Sequence, residues 1–316
     1  MRPERTPTPS GSPEPLPRIA DATLDHLRAV VDEPDVSGTR YELVEIIGRG
    51  GMGTVWRAHD RLLERDVALK VLAEPDLEFA REIGLRLVQE AKVLARLEHP
   101  GIVPVHDVGV LADGRAFTCM KLVRGRRLDE LLSGNLTESE RLAIFSRIAE
   151  SVAFAHSCGV LHLDLKPGNV MVGEFGEVLV LDWGLAKIER ATLPSKLIRA
   201  GTEGFMSPEQ QRGESDADAR SDVFALGRLL AELQVGGREI AAIVAKATSM
   251  LPSDRYTKVL ELQADVRRFQ AGEEVHALPD NVWTKLARFY RRYRAAIWLV
   301  AAYAIMRIGF ELFRSW

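Results

Sequence analysis

The sequence is poor in cysteine, with only Cys119 and Cys158 among its 316 residues. Two thiols cannot build the disulfide framework of a small secreted domain, and their spacing matches no metal-ligand motif. Since both lie in apolar stretches, we expect reduced core thiols and a reducing compartment. The chain also lacks an apolar segment at its start, where residues 1–20 read MRPERTPTPSGSPEPLPRIA, so no secretory signal is expected.

The chain carries little net charge, −3 at neutral pH. A nearly neutral protein has no general attraction to a polyanion, so nucleic acid is not expected as a partner. Hydrophobic content of 46% and charged content of 28% are ordinary for a globular protein. The length allows one large domain or two modest ones.

The organisation of the chain changes near residue 39. Residues 1–38 are rich in proline and polar residues and should be disordered, except for a short amphipathic helix in DATLDHLRAVVD, which either docks or frays. Residues 41–123 then alternate like strands around one helical stretch, LRLVQEAKVLARLEH, and residues 128–272 carry long helical periods. The pattern predicts a β-rich lobe, a helical lobe and a cleft between them.

A glycine cluster lies between the first two predicted strands. It follows the pattern G-x-G-x-x-G-x-V with Gly48, Gly50, Gly51, Gly53 and Val55. Without side chains, backbone N–H groups can approach phosphate oxygens closely, although tight hairpins use similar patterns. A dinucleotide-binding fold is disfavoured because the glycines do not open a helix.

Charged residues inside apolar segments form the next signal. Lys70 lies in the strand VALK and points either to solvent or into the cleft toward nucleotide phosphates. The second alternative needs a carboxylate from the following helix, where Glu90 has apolar neighbours, and Glu82 is the competing candidate.

The stretch VLHLDLKPGNVMVG holds Asp164, Lys166 and Asn169 at short spacing, and Asp182 follows the apolar run VLVL. Phosphoryl transfer needs placed charges and an oriented hydroxyl more than covalent help. Here Asp164 can accept the hydroxyl proton and Lys166 can steady the phosphoryl group. Oxygen ligands from Asn169 and Asp182 suffice for Mg²⁺ that also binds nucleotide phosphates.

Taken together, residues 41 to about 272 resemble a eukaryotic-type (Hanks-type) serine/threonine protein kinase of the bacterial branch. The resemblance is carried by the motifs IGRGGMGTVWRAHD, VALK, EHPGIVPVHDVG, HLDLKPGNV, LDWGLAK, GTEGFMSPEQ and SDVFALG. It implies an α+β, two-lobed fold that uses ATP with Mg²⁺ or Mn²⁺. It also implies transfer of the γ-phosphoryl group to Ser or Thr hydroxyls of protein substrates, with autophosphorylation.

The resemblance also assigns roles to individual residues. Asp164 is implied as the catalytic base, assisted by Lys166, and Lys70 with Glu90 as the ion pair of the active state. The implied metal ligands are Asn169 and Asp182. The glycine loop covers the phosphates, and the adenine site is implied to consist of Val55, Ala68, Met120 and Met171 with the backbone of Lys121 and Val123. Other implied features are a Glu209–Arg255 pair, a supporting Asp222, and Thr202, which favours Ser or Thr over Tyr substrates.

The sequence departs from the family pattern at three places. Leu163 replaces an arginine that pairs with an activation-loop phosphate, so we expect little dependence on phosphorylation at Thr192, Ser195 or Thr202. Trp183 replaces phenylalanine and is expected to pack beside Leu94 and His162, itself a core residue. The connection after SDVFALGRLLAELQ is short. The rival interpretation is a membrane-tethered pseudokinase scaffold that binds ATP or partners without turnover.

The C-terminal tail combines a basic, aromatic segment at 273–294 with an apolar segment at 295–313. The pattern predicts a single-pass membrane helix that anchors a cytoplasmic kinase domain to the inner membrane. Arg307 weakens this prediction. An interfacial amphipathic helix and a helix packed on the kinase or on a partner are the alternatives.

Overall fold

The computed structural model describes residues 33–50, 53–72, 97–183, 187–188, 202–213, 217–279, 290, 293–303 and 305–307. Within these residues a β-rich lobe precedes a helical lobe, which confirms the predicted two-lobed α+β architecture. Several predicted features lie outside the described residues: the helix in DATLDHLRAVVD, Gly51, Glu82, Glu90, Leu94, Thr192 and Ser195.

The N-terminal lobe is built on one antiparallel sheet in the order β1-β2-β3-β5-β4. Its strands are β1 (Tyr41–Gly50), β2 (Gly53–Asp60), β3 (Arg65–Leu72), β4 (Val105–Val110) and β5 (Ala116–Lys121). Side chains alternate between the two faces of a strand. Val67, Leu69 and Val71 of β3 therefore pack into a core with Tyr41 and Phe117, whereas Ala68 and Lys70 project from the opposite face.

The chain packs on this sheet before β1 begins. Pro34 is buried, and Val36 packs against the core of the lobe. The backbone N–H of Asp35 donates to Asp113 Oδ2 at 2.8 Å, and Arg115 Nη2 donates to the carbonyl of Glu33 at 2.8 Å. Residues 33–39 therefore form a strap across the β4–β5 turn.

The helical lobe contains α1 (Leu128–Leu132), α2 (Glu138–Ser157), α3 (Pro208–Arg212), α4 (Ala219–Glu232), α5 (Arg238–Ala247) and α6 (Val259–Ala271). A capping box between Thr137 and Glu140 begins α2, whose apolar face includes the fully buried Phe145 and Ile148. The short strands are β6 (Gly125–Arg127), β7 (Val160–Leu161), β8 (Val170–Gly173), β9 (Val178–Val180) and β10 (Lys187–Ile188). One 3₁₀ turn spans Pro167–Asn169.

Cys158 corrects one prediction. Cys119 is buried in the sheet core as expected, but Cys158 is exposed. It is the C-cap residue of α2, beyond the last buried residue of that helix, Ala155. The apolar residues around it in the sequence belong to α2 and β7, while the turn between them faces solvent.

The connection between α4 and α5 consists of residues 233–237 and confirms the shortening seen in the sequence. The two helices cross closely at Gly227, where an added Cβ would lie 2.7 Å from Cβ of Ala247. Glycine is therefore required at this crossing.

Residues 293–303 and 305–307 of the tail are helical. Among the described residues, no helix combines the length and apolar content that a membrane crossing requires. The described residues therefore do not support the membrane span predicted at 295–313. Residues 304 and 308–313 of that segment lie outside the described residues.

Candidate active site

A cleft of about 550 Å³ lies between the two lobes. It brings together most of the predicted site residues: Gly48, Gly50, Gly53, Val55, Ala68, Lys70, Met120, Lys121, Val123, Asp164, Lys166, Asn169, Met171 and Asp182. Of the predicted site residues, Gly51 and Glu90 lie outside the described residues.

Strand register explains the upper wall of the cleft. Val55 of β2 is directly opposite Lys70 of β3, and Ala68 of β3 is opposite Met120 of β5. Opposed residues share a face of the sheet, and so do residues two apart on one strand. These four side chains therefore form one apolar surface with a single ammonium group at its edge. Such a surface suits a flat aromatic ring joined to an anionic chain.

Gly53 has a packing role that sequence reasoning missed. Its φ is +147°, and a Cβ atom at this position would lie 2.1 Å from the carbonyl oxygen of Val71. By contrast, a Cβ at Gly50 would meet nothing within 4 Å. Glycine at 53 is therefore required by the close approach of β2 to β3, whereas Gly50 leaves its surroundings open to a ligand.

The loop that carries Asp164 is held from below by Asp222 of α4. The Asp222 carboxylate accepts hydrogen bonds from the backbone N–H groups of His162 and Leu163, both at 2.8 Å, and from His156 Nε2 at 2.7 Å. Burial alone would raise the pKa of Asp222, but these donors outweigh it and the pKa is lowered. Asp222 thus provides an ionised support for the loop.

His162 links this loop to the segment of Asp182. Its Nδ1 accepts from the backbone N–H of Asp164 at 3.2 Å, so Nε2 carries the proton that is donated to the carbonyl of Leu181 at 3.0 Å. The ring is fully buried and lies 4.6 Å from the Trp183 ring, centroid to centroid. The predicted core histidine and its contact with Trp183 are confirmed, and its linking function is an addition.

Leu163 has an unusual backbone conformation, with φ at +64°. Its N–H is held by Asp222, and its carbonyl accepts from Gln210 Nε2 at 2.8 Å. The side chain is buried against Leu161 and Ala217. A left-handed conformation is costly for a leucine and persists because both backbone groups are fixed.

The carboxylate of Asp164 is surrounded by donors. Its Oδ1 accepts from the N–H and the hydroxyl of Thr202, both at 3.0 Å. Its Oδ2 accepts from Asn169 Nδ2 and contacts Lys166 Nζ, both at 3.0 Å. Lys166 Nζ also donates to the Thr202 hydroxyl. The structure therefore joins Asp164, Lys166 and Asn169 as their spacing suggested, and adds Thr202, which is distant in sequence.

Lys70 and Asp182 are in direct contact across the cleft, from Nζ to Oδ1. The Lys70 side chain is only 12% exposed, so its charge needs a nearby partner. Sequence reasoning assigned Glu90 as that partner, and Glu90 lies outside the described residues. Asp182 is placed where one carboxylate can serve both a lysine and a cation.

The donor set at Asn169 and Asp182 fits a hard divalent cation. The Asn169 amide nitrogen donates to the backbone carbonyl and to Oδ2 of Asp164, which leaves its amide oxygen as a ligand. Together with a carboxylate oxygen of Asp182, it supplies two oxygen ligands at the cleft, and Mg²⁺ commonly takes its remaining ligands from phosphates and water.

Comparison with known proteins agrees with this geometry. The family model described as "Protein kinase domain" matches residues 41–273. This chain belongs to the protein kinase family. The match covers both lobes of the kinase domain and ends just beyond α6.

Three similar proteins come from bacteria. The chain is 32% identical to serine/threonine-protein kinase PknD of Chlamydia trachomatis, over 74% of its own length and 32% of that protein. It is 41% identical to serine/threonine-protein kinase pkn3 of Myxococcus xanthus, over 62% and 38%. It is 33% identical to serine/threonine-protein kinase PknB of Mycobacterium tuberculosis, over 77% and 45%. The chain thus spans between a third and a half of the length of these relatives.

A buried ion pair in the helical lobe of this kinase domain matches the implied pair. Arg255 Nη1 and Nη2 donate to Glu209 Oε1 and Oε2 at 2.7 and 2.8 Å, and Ser221 Oγ donates to Oε1 at 2.8 Å. Burial would raise the pKa of Glu209, but these donors lower it to about 2. The pair connects α3 to the loop before α6.

Proposed function

We propose that this chain is a serine/threonine protein kinase that transfers the γ-phosphoryl group of ATP to Ser or Thr hydroxyls of proteins, itself included. The observation that supports this most strongly is the environment of Asp164, a carboxylate held by Thr202, Asn169 and Lys166 at the floor of the cleft. The names of the bacterial relatives support the choice of Ser and Thr as acceptors.

Asp164 acts as the proton acceptor for the substrate hydroxyl in this proposal. Its two oxygens already accept hydrogen bonds from fixed groups, so the carboxylate is oriented before a substrate arrives. The Thr202 hydroxyl is a donor that can rotate away and yield its place to the acceptor hydroxyl. Lys166, adjacent to the same carboxylate, places positive charge where the phosphoryl group passes.

On the opposite side of the cleft, Lys70 binds the nucleotide phosphates. The surface formed by Val55, Ala68, Met120 and Met171 accepts the adenine ring, and the backbone of Lys121 and Val123 reads its edge. Asn169 and Asp182 hold the divalent metal, Mg²⁺ or Mn²⁺. When bound, the metal supplies positive charge that neutralises the phosphates.

The rival interpretation, a pseudokinase scaffold, is disfavoured by the site itself. A protein that only binds nucleotide does not need a base, yet Asp164 and Lys166 are present and oriented alongside Asn169 and Asp182. The relatives PknD and PknB match 74% and 77% of this chain, and both are named as serine/threonine-protein kinases.

The test is radiolabelled autophosphorylation by the full chain, wild type beside Asp164→Asn. We expect the variant to lose at least about 100-fold in rate, since proton transfer by a placed base contributes roughly 10²–10⁴-fold. Asp254→Asn, at an exposed aspartate outside the cleft, is the matched control and should retain wild-type turnover. Thermal unfolding curves check that both variants fold. Equal labelling by wild type and the folded Asp164→Asn variant would contradict the proposal.

The C-terminal segment supports a separate proposal on location. We infer that it attaches a cytoplasmic kinase domain to the inner face of the cell membrane. Its helical residues expose large apolar side chains by 62% to 71%: Trp298, Leu299, Val300, Tyr303, Ile305 and Met306. An apolar surface of this kind marks contact with lipid or with another protein. The basic residues before it, such as Arg294, favour anionic headgroups.

A further inference from the structure

Three exposed arginines, Arg124, Arg126 and Arg127, follow β5. Their side chains are directed to different places. Arg127 lines the active-site cleft together with Asp164 and Lys166, whereas Arg124 lines a separate depression. Arg126 and Arg127 are neighbours on strand β6, so their side chains project to opposite faces. Arg127 is thus the arginine of this group that a molecule in the cleft would meet.

The guanidinium group of Arg127 rests on the loop that carries the catalytic residues. An added Cβ at Gly168 would lie 2.5 Å from Arg127 Nη2, so the guanidinium group lies directly against this loop. Gly168 follows Lys166 by two positions. Arg127 and Asp164 line the same cleft. Because an extended chain advances about 3.3–3.6 Å per residue, a substrate side chain a few residues from the acceptor hydroxyl can reach Arg127.

Arg127 is already shaped to bind a carboxylate. Its Nε and Nη2 donate to Oδ1 and Oδ2 of Asp129 at 3.1 and 2.6 Å, the two-pronged geometry that suits a planar anion. Both side chains are about half exposed, 51% and 43%. An exposed pair of this kind contributes little to stability, so a carboxylate from an incoming chain can replace or share Asp129 at small cost.

We propose that Arg127 selects protein substrates that carry an aspartate or glutamate within about three residues of the acceptor Ser or Thr. This inference rests on the proposed kinase function and makes Arg127 a specificity-determining residue. Charge complementarity supports it, because Arg127 and Lys166 are both cationic and both line the cleft that contains Asp164.

The experiment uses the full chain and a set of peptides with one acceptor serine in a neutral sequence. Glu, Gln or Lys is placed in turn at each of the three positions on either side of the serine. We expect kcat/KM for the best Glu peptide to exceed that of its Gln partner by about tenfold. In Arg127→Gln this ratio should fall to about one, because the carboxylate loses its partner. Arg126→Gln, the control on the same strand, should keep the wild-type ratio.

The charge-reversed variant Arg127→Glu makes the test independent of the absolute rate. It should prefer the Lys peptide over the Glu peptide. The inference is overturned if Arg127→Gln keeps the wild-type Glu/Gln ratio, or if its change appears in the KM for ATP with that ratio intact, which would assign Arg127 to the nucleotide. Failure of the proposed function looks different, since no peptide and no autophosphorylation product would then be labelled by any variant.

Discussion

The helical lobe contains a buried ion pair between Glu209 and Arg255. Glu209 and Arg255 are 7% and 0% exposed at their side chains, and the guanidinium group also donates to the backbone carbonyls of Ser249 and Arg220. Removing one member of a buried pair leaves the other charge without compensation, which typically costs about 3–5 kcal/mol. This pair is therefore a point where one substitution affects the stability of the whole lobe.

The lowered pKa of Glu209 predicts how acid acts on the kinase. A carboxyl group whose folded pKa is about 2, below its ordinary value of 4.5, stabilises the fold fully above pH 4.5. This contribution, roughly 3 kcal/mol, is lost as the pH falls from about 4.5 toward 2. We expect Glu209→Gln to lower the free energy of unfolding at pH 7, with a difference from wild type that shrinks as the pH falls below 4.5.

Urea unfolding of both proteins over a pH series measures this difference. Glu130→Gln, at an exposed glutamate of α1, is the matched control and should follow the wild-type curve. A Glu209→Gln deficit that stays constant from pH 7 to pH 3 would contradict the assignment, since it would show that ionisation of Glu209 does not contribute.

At the residue scale, the sequence predicts many of the residues that line the cleft. It predicts fewer of the hydrogen bonds that those residues form. Short spacing places Asp164, Lys166 and Asn169 on one loop, whereas the strand pattern alone left Lys70 pointing either to solvent or into the cleft. The bonds from Thr202 to Asp164 join segments that are far apart in the chain, so no local pattern contains them. The exposure of Cys158 was missed for a similar reason, because a turn between two apolar elements has apolar neighbours in sequence.

Among the elements, the loop that carries Leu163 bears on regulation. The Leu163 side chain is buried with Leu161 and Ala217 and has no cationic group. It therefore cannot form charge-assisted hydrogen bonds with a phosphate on the segment after Asp182. The conformation of the loop is set instead by Asp222 and Gln210, which are not changed by phosphorylation.

We therefore expect the double variant Thr192→Ala, Ser195→Ala to retain turnover within about twofold of wild type. Peptide phosphorylation by phosphatase-treated enzyme gives the measurement. Thr202 is excluded from this test because its hydroxyl contacts Asp164 and Lys166 directly, so its loss would alter the site itself. A tenfold or larger loss in the double variant, with a normal unfolding temperature, would show that activity depends on a phosphate there.

Long elements follow from the sequence because their periods extend over many residues. The predicted strand VALK lies within β3 at Arg65–Leu72, and the long helical periods predicted in residues 128–272 include α2 at Glu138–Ser157. The short elements β6, β7 and α1 were missed, since segments of two to five residues have no readable period. Yet β6 carries Arg127, so a short element supplies one of the residues that line the cleft.

At the scale of the whole molecule, the kinase domain occupies residues 41–273 of the chain, and the match to this chain covers less than half of each compared relative. The cleft and its residues can be assigned from the domain alone. The order of the motifs, from the glycine loop through VALK and HLDLKPGNV to LDWGLAK, made the two-lobed fold predictable. The two termini contain no such motifs. Their apolar patterns left open whether the N-terminal helix docks on the domain and whether the C-terminal helix contacts a membrane or protein.

Location is the prediction that belongs to the whole chain. We expect the full chain to be found in the membrane fraction of lysed cells, because the apolar side chains around Trp298 and Tyr303 are exposed to solvent in the isolated protein. Washing with high salt and then with alkaline carbonate separates the modes of attachment. Release by carbonate indicates an interfacial helix, and retention indicates a span. A chain found entirely in the soluble fraction before any wash would overturn the attachment.

The strap formed by residues 33–39 affects where a truncated form of this protein should begin. A fragment cut at the family boundary, beginning with Tyr41, would discard Pro34 and Val36 together with the partners of Asp113 and Arg115. The far end of the sheet would then present bare apolar surface to the buffer. Purified fragments should begin before residue 33, because shorter fragments will aggregate through this exposed surface.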